Sequence, residues 1–261
     1  MQDMAVVLDR LKERAISENN SILAIEYNWD RLLGEIESLL SQVGFSYFSY
    51  SVTMCRHMGA DFDLDRMIHT TNAREIAGSL PAPVVTEYFE KIAVQDPAIE
   101  MLSHQKGPLI VNTSSVSSCS VADSFWEKKG IRSRVYLPVE SRSSDYWFHY
   151  FGLYHEREDD EFRNLFAEIE NWLVPALNRY HRLLQTVSEK DQNPFLQHEI
   201  LSPTCLDILK MTSQGMPVKS IADKLKLTEE GITYHITRAK RIFGARNKTH
   251  LIAILYDVGL M

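Results

Sequence analysis

The sequence predicts an α+β protein in two parts, an N-terminal α/β/α sandwich domain and a C-terminal all-α helix-turn-helix domain. Three observations predict it. Along the first part of the chain, apolar residues switch between helical spacing and alternation, the pattern of a sheet with helices around it. A polar stretch, Gln185-Thr-Val-Ser-Glu-Lys-Asp-Gln-Asn-Pro194, then carries one isolated valine and a turn-forming Asn-Pro, the composition of a linker. Charge changes sign across it: residues 199–261 hold nine Lys and Arg against six Asp and Glu, or +3, while the rest of the chain is −10 and the whole is −7. The expected boundaries are 1–184 for the first domain, 185–197 for the linker and 198–261 for the second domain.

In chain order, Leu32, Leu33, Ile36, Leu39 and Leu40 recur at helical spacing. A β-rich run, Phe45 to Val52, is followed by a helix, Val84 to Ala93. A short strand at Leu109 to Asn112, a helix near Val121 to Lys129, and β-rich runs Arg134 to Val139 and Tyr146 to Tyr154 come next. Tyr146-Trp147-Phe148-His149-Tyr150-Phe151 is aromatic on both alternating faces, so the sheet is expected to be covered on both sides. The long helix Asp159 to Thr186 repeats Phe162, Leu165, Phe166, Ile169, Trp172, Leu173, Ala176, Leu177 and Tyr180 at three and four residues.

After the linker the pattern is all helical. Ser202 is an N-cap with Pro203 at the first position, Leu206, Ile208, Leu209 and Met211 form the buried side, and Gly215 ends the helix. A short helix, Val218 to Leu225, buries Ile221, Ala222 and Leu225. A four-residue turn leads to a third helix capped by Thr228, with the apolar stripe Ile232, Ile236, Ala239 and Phe243, and residues 249–258 make a fourth. With that stripe buried, the opposite face of the third helix presents Glu230, Thr233, Tyr234, Thr237, Arg238 and Arg241. Hydroxyls and guanidinium groups near the start of such a helix suit base edges in a major groove, while later cations, including Lys248, suit phosphates. A solvated helix face is the competing reading of the same residues.

Composition narrows the remaining classes. At 261 residues, 44% hydrophobic and 24% charged, the chain is ordinary globular protein. No apolar run is long enough for a membrane span, and Met1-Gln2-Asp3-Met4 lacks a signal-peptide pattern, so a cytoplasmic protein with no membrane partner is expected. Cys55, Cys119 and Cys205 stand too far apart for a paired motif and are expected as buried small side chains. GxSxG, Walker, GxGxxG and HExxH patterns are missing, which argues against an enzyme. The acidic run His155-Glu-Arg-Glu-Asp-Asp-Glu161 suits the start of the long helix, where negative charge meets the positive end of the dipole. No catalytic residue, cofactor or metal is expected.

Leu201-Ser-Pro, Leu209, Gly215, Ile221-Ala222, Leu225, Leu227-Thr-Glu, Ile232-Thr-Tyr-His235, Arg246-Asn-Lys248 and the ending Gly259-Leu-Met261 resemble the C-terminal DNA-binding domain of LuxR-type regulators. Thr204-Cys205, Pro217, Ser220 and Gly231 depart from the usual residues. Cys205 and Ser220 remove carboxylates that tie the helices together, and Gly231 costs about 1 kcal/mol relative to Ala. Further upstream, Val43-Gly-Phe-Ser-Tyr-Phe-Ser-Tyr50, Gln95-Asp96-Pro97, and Phe125-Trp126 with Gly130 and Pro138 resemble the autoinducer-binding domain that precedes it in quorum-sensing members.

That resemblance implies a DNA-binding transcriptional regulator that senses a small amphiphilic signal, an acyl-homoserine lactone or a related molecule, and binds double-stranded operator DNA as a homodimer. RNA polymerase is a further candidate partner. Asp96 would accept a ligand amide N–H and Tyr88 would donate to a carbonyl; Val85 and Val111 fall where the family has tryptophans, and Arg134 stands near a usual Gly. Tyr50 and Tyr150, with Tyr47, Phe48, Tyr136, Tyr146 and Phe148, are candidate pocket aromatics or simply core. Asp96 followed by Pro97 is equally a helix cap. Two alternatives remain: a ligand-independent regulator whose pocket is filled by its own aromatics, and an enzyme or adaptor with a vestigial helix-turn-helix.

Overall fold

The computed structural model describes residues 28–54, 76–104, 107–112, 120–139, 147–157, 160–187, 193–197 and 199–261. They form two compact units, one built on a sheet and one of C-terminal helices. Cys55, Cys119 and Tyr146 lie outside the described residues, as do residues 188–192 and 198 of the expected linker and residues 158–159 of the acidic run.

The first unit begins with α1 (Trp29–Gln42), capped by Asn28, whose side chain accepts from the Arg31 N–H. Leu32, Ile36 and Leu40 are fully buried while Leu33 and Leu39 lie at the edge of the core. Strands β1 (Tyr47–Met54), β2 (Ala77–Gly78), β3 (Leu109–Asn112), β4 (Ser133–Pro138) and β5 (Trp147–His155) make one sheet in the order β2-β1-β5-β4-β3. The pairs β1–β2, β3–β4 and β4–β5 are antiparallel, with Tyr136 opposite Gly152 and Val111 opposite Arg134. The first strand starts two residues later than its β-rich run, because Phe45 is used to close the turn after α1 by donating its N–H to Leu40 O.

Strand alternation sorts the sheet into two faces. Phe48, Tyr50, Val135, Leu137, Phe151 and Leu153 face α1 and the long helix α5 (Asp160–Val187), which contributes Phe162, Phe166, Ile169, Leu173, Leu177 and Leu184 to one continuous core. The other residues of the same strands, Ser49, Ser51, Tyr136, Tyr150 and Tyr154, line a cavity with Tyr88 and Trp126 from the helices on that side. Both faces are therefore covered, as the two-sided aromatic strand predicts. On the second face the expected helix Val84 to Ala93 is three pieces: α2 (Ala82–Glu87), a π-helical turn (Tyr88–Ile92) and a 3₁₀ turn (Ala93–Gln95). They lead into α3 (Pro97–His104), and α4 (Val121–Lys128) follows β3 with a capping box in which Ser120 and Asp123 exchange hydrogen bonds.

α5 continues through Val187, so Gln185, Thr186 and Val187 belong to the helix rather than to a linker; the Gln185 amide donates to Tyr50 Oη at 3.2 Å. The far end of the expected linker is also structured. Asn193 donates to Val258 O at 2.5 Å, and Phe195, in the helical turn α6 (Pro194–Gln197), packs 5.6 Å from Phe243.

The second unit contains α7 (Pro203–Ser213), α8 (Val218–Leu225), α9 (Glu229–Ile242) and α10 (Lys248–Asp257). Ser202 caps α7 and Gly215 adopts φ +80° just beyond its end, where a side chain would be strained. The buried side of α7 is Cys205, Ile208, Leu209 and Thr212; Ile208 and Leu209 are buried as expected, while Leu206 and Met211 are only half-buried and Cys205 and Thr212 take the buried positions at the two ends of the stripe. The turn between α8 and α9 has three residues, not four, and Lys226 opens it in the left-handed conformation (φ 55°).

Candidate functional site

The first candidate site is the outer face of α9. Thr228 caps it by accepting from the Gly231 N–H at 3.0 Å, Glu229 and Glu230 lie in its first turn and Lys240 and Arg241 in its last, each charge matching the dipole. Ile232, Ile236, Ala239 and Phe243 are buried as expected, joined by Ile242. Thr233, Tyr234, Thr237, Arg238 and Arg241 are all exposed, Tyr234 most conspicuously at 61% for a ring of that size. The Thr233 hydroxyl donates to Glu229 O at 2.9 Å, leaving its oxygen lone pairs and methyl free on the exposed face. Lys248 is exposed in the first turn of α10, behind the cap Asn247, where free backbone N–H groups add to its charge. His235 is half-buried: its carbonyl accepts from the Cys205 thiol at 3.7 Å, and burial pushes that thiol up to about 11 against the pull of Arg238.

The second candidate site lies on the Tyr136 face of the sheet. A cavity of about 10 Å³, room for roughly one water, is lined among others by Ser51, Val85, Tyr88, Trp126, Tyr136 and Tyr150. Three of the expected ligand residues, Val85, Tyr88 and Tyr150, thus meet there. Asp96 adjoins it through Tyr88, whose hydroxyl donates to Asp96 Oδ2 at 2.8 Å. Val111 lies on the next strand beside Arg134 and does not reach the cavity wall. Tyr50 is placed differently from the expectation. As an even-numbered β1 residue it points to the opposite face, its ring 5.3 Å from His149 and its hydroxyl 2.8 Å from His181 Nδ1. Ser49 and Ser51 take the cavity-facing positions on that strand.

The dominant polar feature is not among the expected site residues. Arg134 is 1% exposed and bridges two buried carboxylates, Nη1 to Asp96 Oδ2 at 2.8 Å and Nη2 to Asp123 Oδ1 at 2.6 Å. Asp96 Oδ1 also accepts from the Ala98 N–H at 2.9 Å, so the helix-cap role is realised alongside the contact with Tyr88. Its carboxylate therefore has three internal donors. Burial, and then the negative charge of Asp96, hold the Tyr88 phenol well above its usual range, and burial first among several causes pushes Tyr136 up to about 12. Both phenols are neutral donors at any physiological pH. The sequence signal for this cluster is a charged residue inside an otherwise apolar strand, Ser133-Arg-Val-Tyr-Leu-Pro138, together with the Ser120-x-x-Asp123 capping pattern.

Gly152 makes room on the same face. A Cβ there would stand 2.6 Å from Ser49 Oγ and 2.8 Å from Tyr154 Oη, the two hydroxyls that hydrogen-bond each other at 3.1 Å. The described residues contain no group of three or more His, Cys, Asp or Glu able to hold a metal, and no helix among them is long and apolar enough to cross a membrane.

Residues 199–255 match the family of bacterial regulatory proteins, luxR family. Escherichia coli SdiA is similar at 18% identity, with 97% of this chain and 98% of that chain covered and a TM-score of 0.46. SdiA in complex with octanoyl-rac-glycerol is similar at 19% identity, with 100% and 98% covered and a TM-score of 0.46. The N-acylhomoserine lactone dependent LuxR family transcription factor CepR2 from Burkholderia cenocepacia shares 14% identity over 70% of this chain and 96% of that chain, at a TM-score of 0.47. No curated protein matches the sequence.

Proposed function

We propose that this chain, whose C-terminal helices are a luxR-family helix-turn-helix domain, is a transcriptional regulator that binds operator DNA through α9 and senses a small molecule in its N-terminal domain. The observation that carries the DNA reading is the division of α9 into a buried stripe and an outer face of hydroxyl, aromatic and guanidinium groups. In this reading Thr233, Tyr234, Thr237 and Arg238 meet base edges, while Arg241 and Lys248 hold phosphates. The protein acts as a homodimer in the cytoplasm, on two half-sites one helical turn apart, and has no catalytic role. The signal enters on the Tyr88 face, with Val85 and Tyr150 in the wall and Asp96 behind Tyr88.

Binding-site selection and salt titration of alanine variants test the DNA reading. Thr237→Ala and Arg238→Ala change the selected sequence and cost about 1 to 3 kcal/mol at particular base pairs. Lys248→Ala weakens all sequences alike and flattens the dependence of log K on log salt by about one unit for each phosphate released. An unchanged consensus for Arg238→Ala with a shifted one for Lys248→Ala refutes the assignment.

One observation favours a second reading, in which the regulator binds DNA without any ligand. The acceptor expected for a ligand amide, Asp96, is already met by Tyr88, Ala98 and Arg134, and the cavity is filled nearly to closure by aromatic side chains. Mass spectrometry of small molecules released from the purified protein, alongside a mobility-shift assay without added extract, separates the two. Full DNA binding with nothing released supports the self-filled pocket.

A further inference from the structure

The outer face of α9 carries a carboxylate on its centre line. At about 100° per residue, Glu230, Tyr234, Thr237 and Arg241 fall within about 60° of one another, opposite the buried Ile232, Ile236 and Ala239. All four are exposed, and Thr233 and Arg238 stand on the two flanks of the stripe they form. The Glu230 side chain makes no hydrogen bond or ion pair among the described residues. Its neighbour Glu229 is exposed too, but turned about 100° away, toward the Thr233 flank. The helix dipole favours either glutamate alike and so does not distinguish them. Their position relative to the stripe does.

An ionised carboxylate can only accept hydrogen bonds. Phosphates repel it, so on a helix lying in a major groove its favourable partners are donors on base edges, and the first turn of such a helix is the part that reaches them. The groove shows two such donors, the N6 amino group of adenine and the N4 amino group of cytosine. Adenine sets the acceptor N7 beside its amino group, where it opposes the second carboxylate oxygen. Cytosine has no acceptor on its own groove edge, while guanine and thymine turn acceptors or a methyl toward the same place.

We infer that Glu230 is a specificity-determining residue of α9, its carboxylate accepting a hydrogen bond from the N4 amino group of a cytosine at one position of each half-site. This rests on the reading of α9 as the helix that enters the groove. Thymine or guanine at that position meets the carboxylate with an acceptor and is turned away. Because Glu230 comes among phosphates of its own sign, it adds discrimination rather than overall affinity.

The test is binding-site selection from a random duplex library by the full chain, with and without extract of the source cells, for the parent, Glu230→Gln and Glu229→Gln; thermal melting shows that both variants are folded. The parent is expected to fix a cytosine that Glu230→Gln replaces by adenine, whose N6 and N7 a glutamine amide pairs, or leaves undetermined. Glu229→Gln keeps the parent's sequence. On the selected site, changing that C·G pair to T·A weakens the parent about tenfold or more and Glu230→Gln far less. On an unrelated duplex, Glu230→Gln binds at least as well as the parent while its binding to the parent's site falls. An unchanged consensus for Glu230→Gln, or an equal rise on selected and unrelated duplexes, makes Glu230 a dipole charge or a general repellent and overturns the inference with α9 still in the groove. A shifted consensus for Glu229→Gln overturns the face assignment and the inference with it. A parent that enriches no sequence, with or without extract, removes the reading of α9 itself.

Discussion

Replacing Arg134 by Met removes the only guanidinium that reaches Asp96 and Asp123 among the described residues while keeping most of its volume. The two ion pairs are 2.8 and 2.6 Å long, and all three side chains are at most 4% exposed, so screening by water is small. Removing one partner of a buried pair costs about 3 to 5 kcal/mol, because the other charge stays behind unpaired. Two charges stay behind here, but neither is bare. Asp96 keeps Tyr88 Oη and the Ala98 N–H, and Asp123 keeps the Ser120 N–H and hydroxyl. The losses therefore should not double, and about 4 kcal/mol is expected. Urea unfolding followed by tryptophan emission measures it, with Trp126 beside the substituted group as the local reporter. Adding Asp96→Asn and Asp123→Asn to Arg134→Met removes the stranded charges and should restore at least half of the loss. A single Arg134→Met variant within about 1 kcal/mol of the parent, the value of an exposed pair, refutes the buried ion cluster.

Gly152→Ala should destabilise the sheet unit by about 1 to 3 kcal/mol, since its Cβ meets the Ser49 and Tyr154 hydroxyls below 3 Å; an unshifted urea midpoint would show that this face is looser than described. Thr228→Ala should cost the helix-turn-helix about 1 kcal/mol through loss of the cap on the Gly231 N–H, and DNA affinity should fall with it. Gly231→Ala should go the other way by up to about 1 kcal/mol, because its Cβ would lie 3.4 Å from Thr228 Oγ1 and clash with nothing; thermal melting ranks the pair. Sedimentation in the presence of DNA should show a dimer, and a 30.1 kDa species alone on an operator would remove the two-half-site reading.

The helices, strands and caps of this protein are legible in its sequence because they are decided locally. Ser202 before Pro203, Thr228 before two glutamates and the four-three-four spacing of Ile232, Ile236, Ala239 and Phe243 each act within one or two turns. The exposed set on α9 follows from that spacing, since burial of one stripe leaves the opposite one outside. Strand alternation also foretells a sheet covered on both sides. What alternation does not supply is the assignment of each parity to a face, and that depends on which helices pack where. For this reason the sequence groups Tyr50 with the ligand residues, whereas the fold turns it toward α5 and gives the cavity to Ser49 and Ser51. The linker starts later than its composition suggests for a similar reason: Gln185 is polar, yet it stays in the helix, where its amide reaches Tyr50, 135 positions earlier, and Leu184 beside it is in the core. Arg134 shows the limit most clearly. A charge in an apolar strand announces a buried partner, but its partners lie 38 and 11 positions away, on an irregular turn and a capping box whose own local roles are already complete. Long-range electrostatic pairing carries no period along the chain. Only the tertiary structure could decide that Asp96 answers to Arg134.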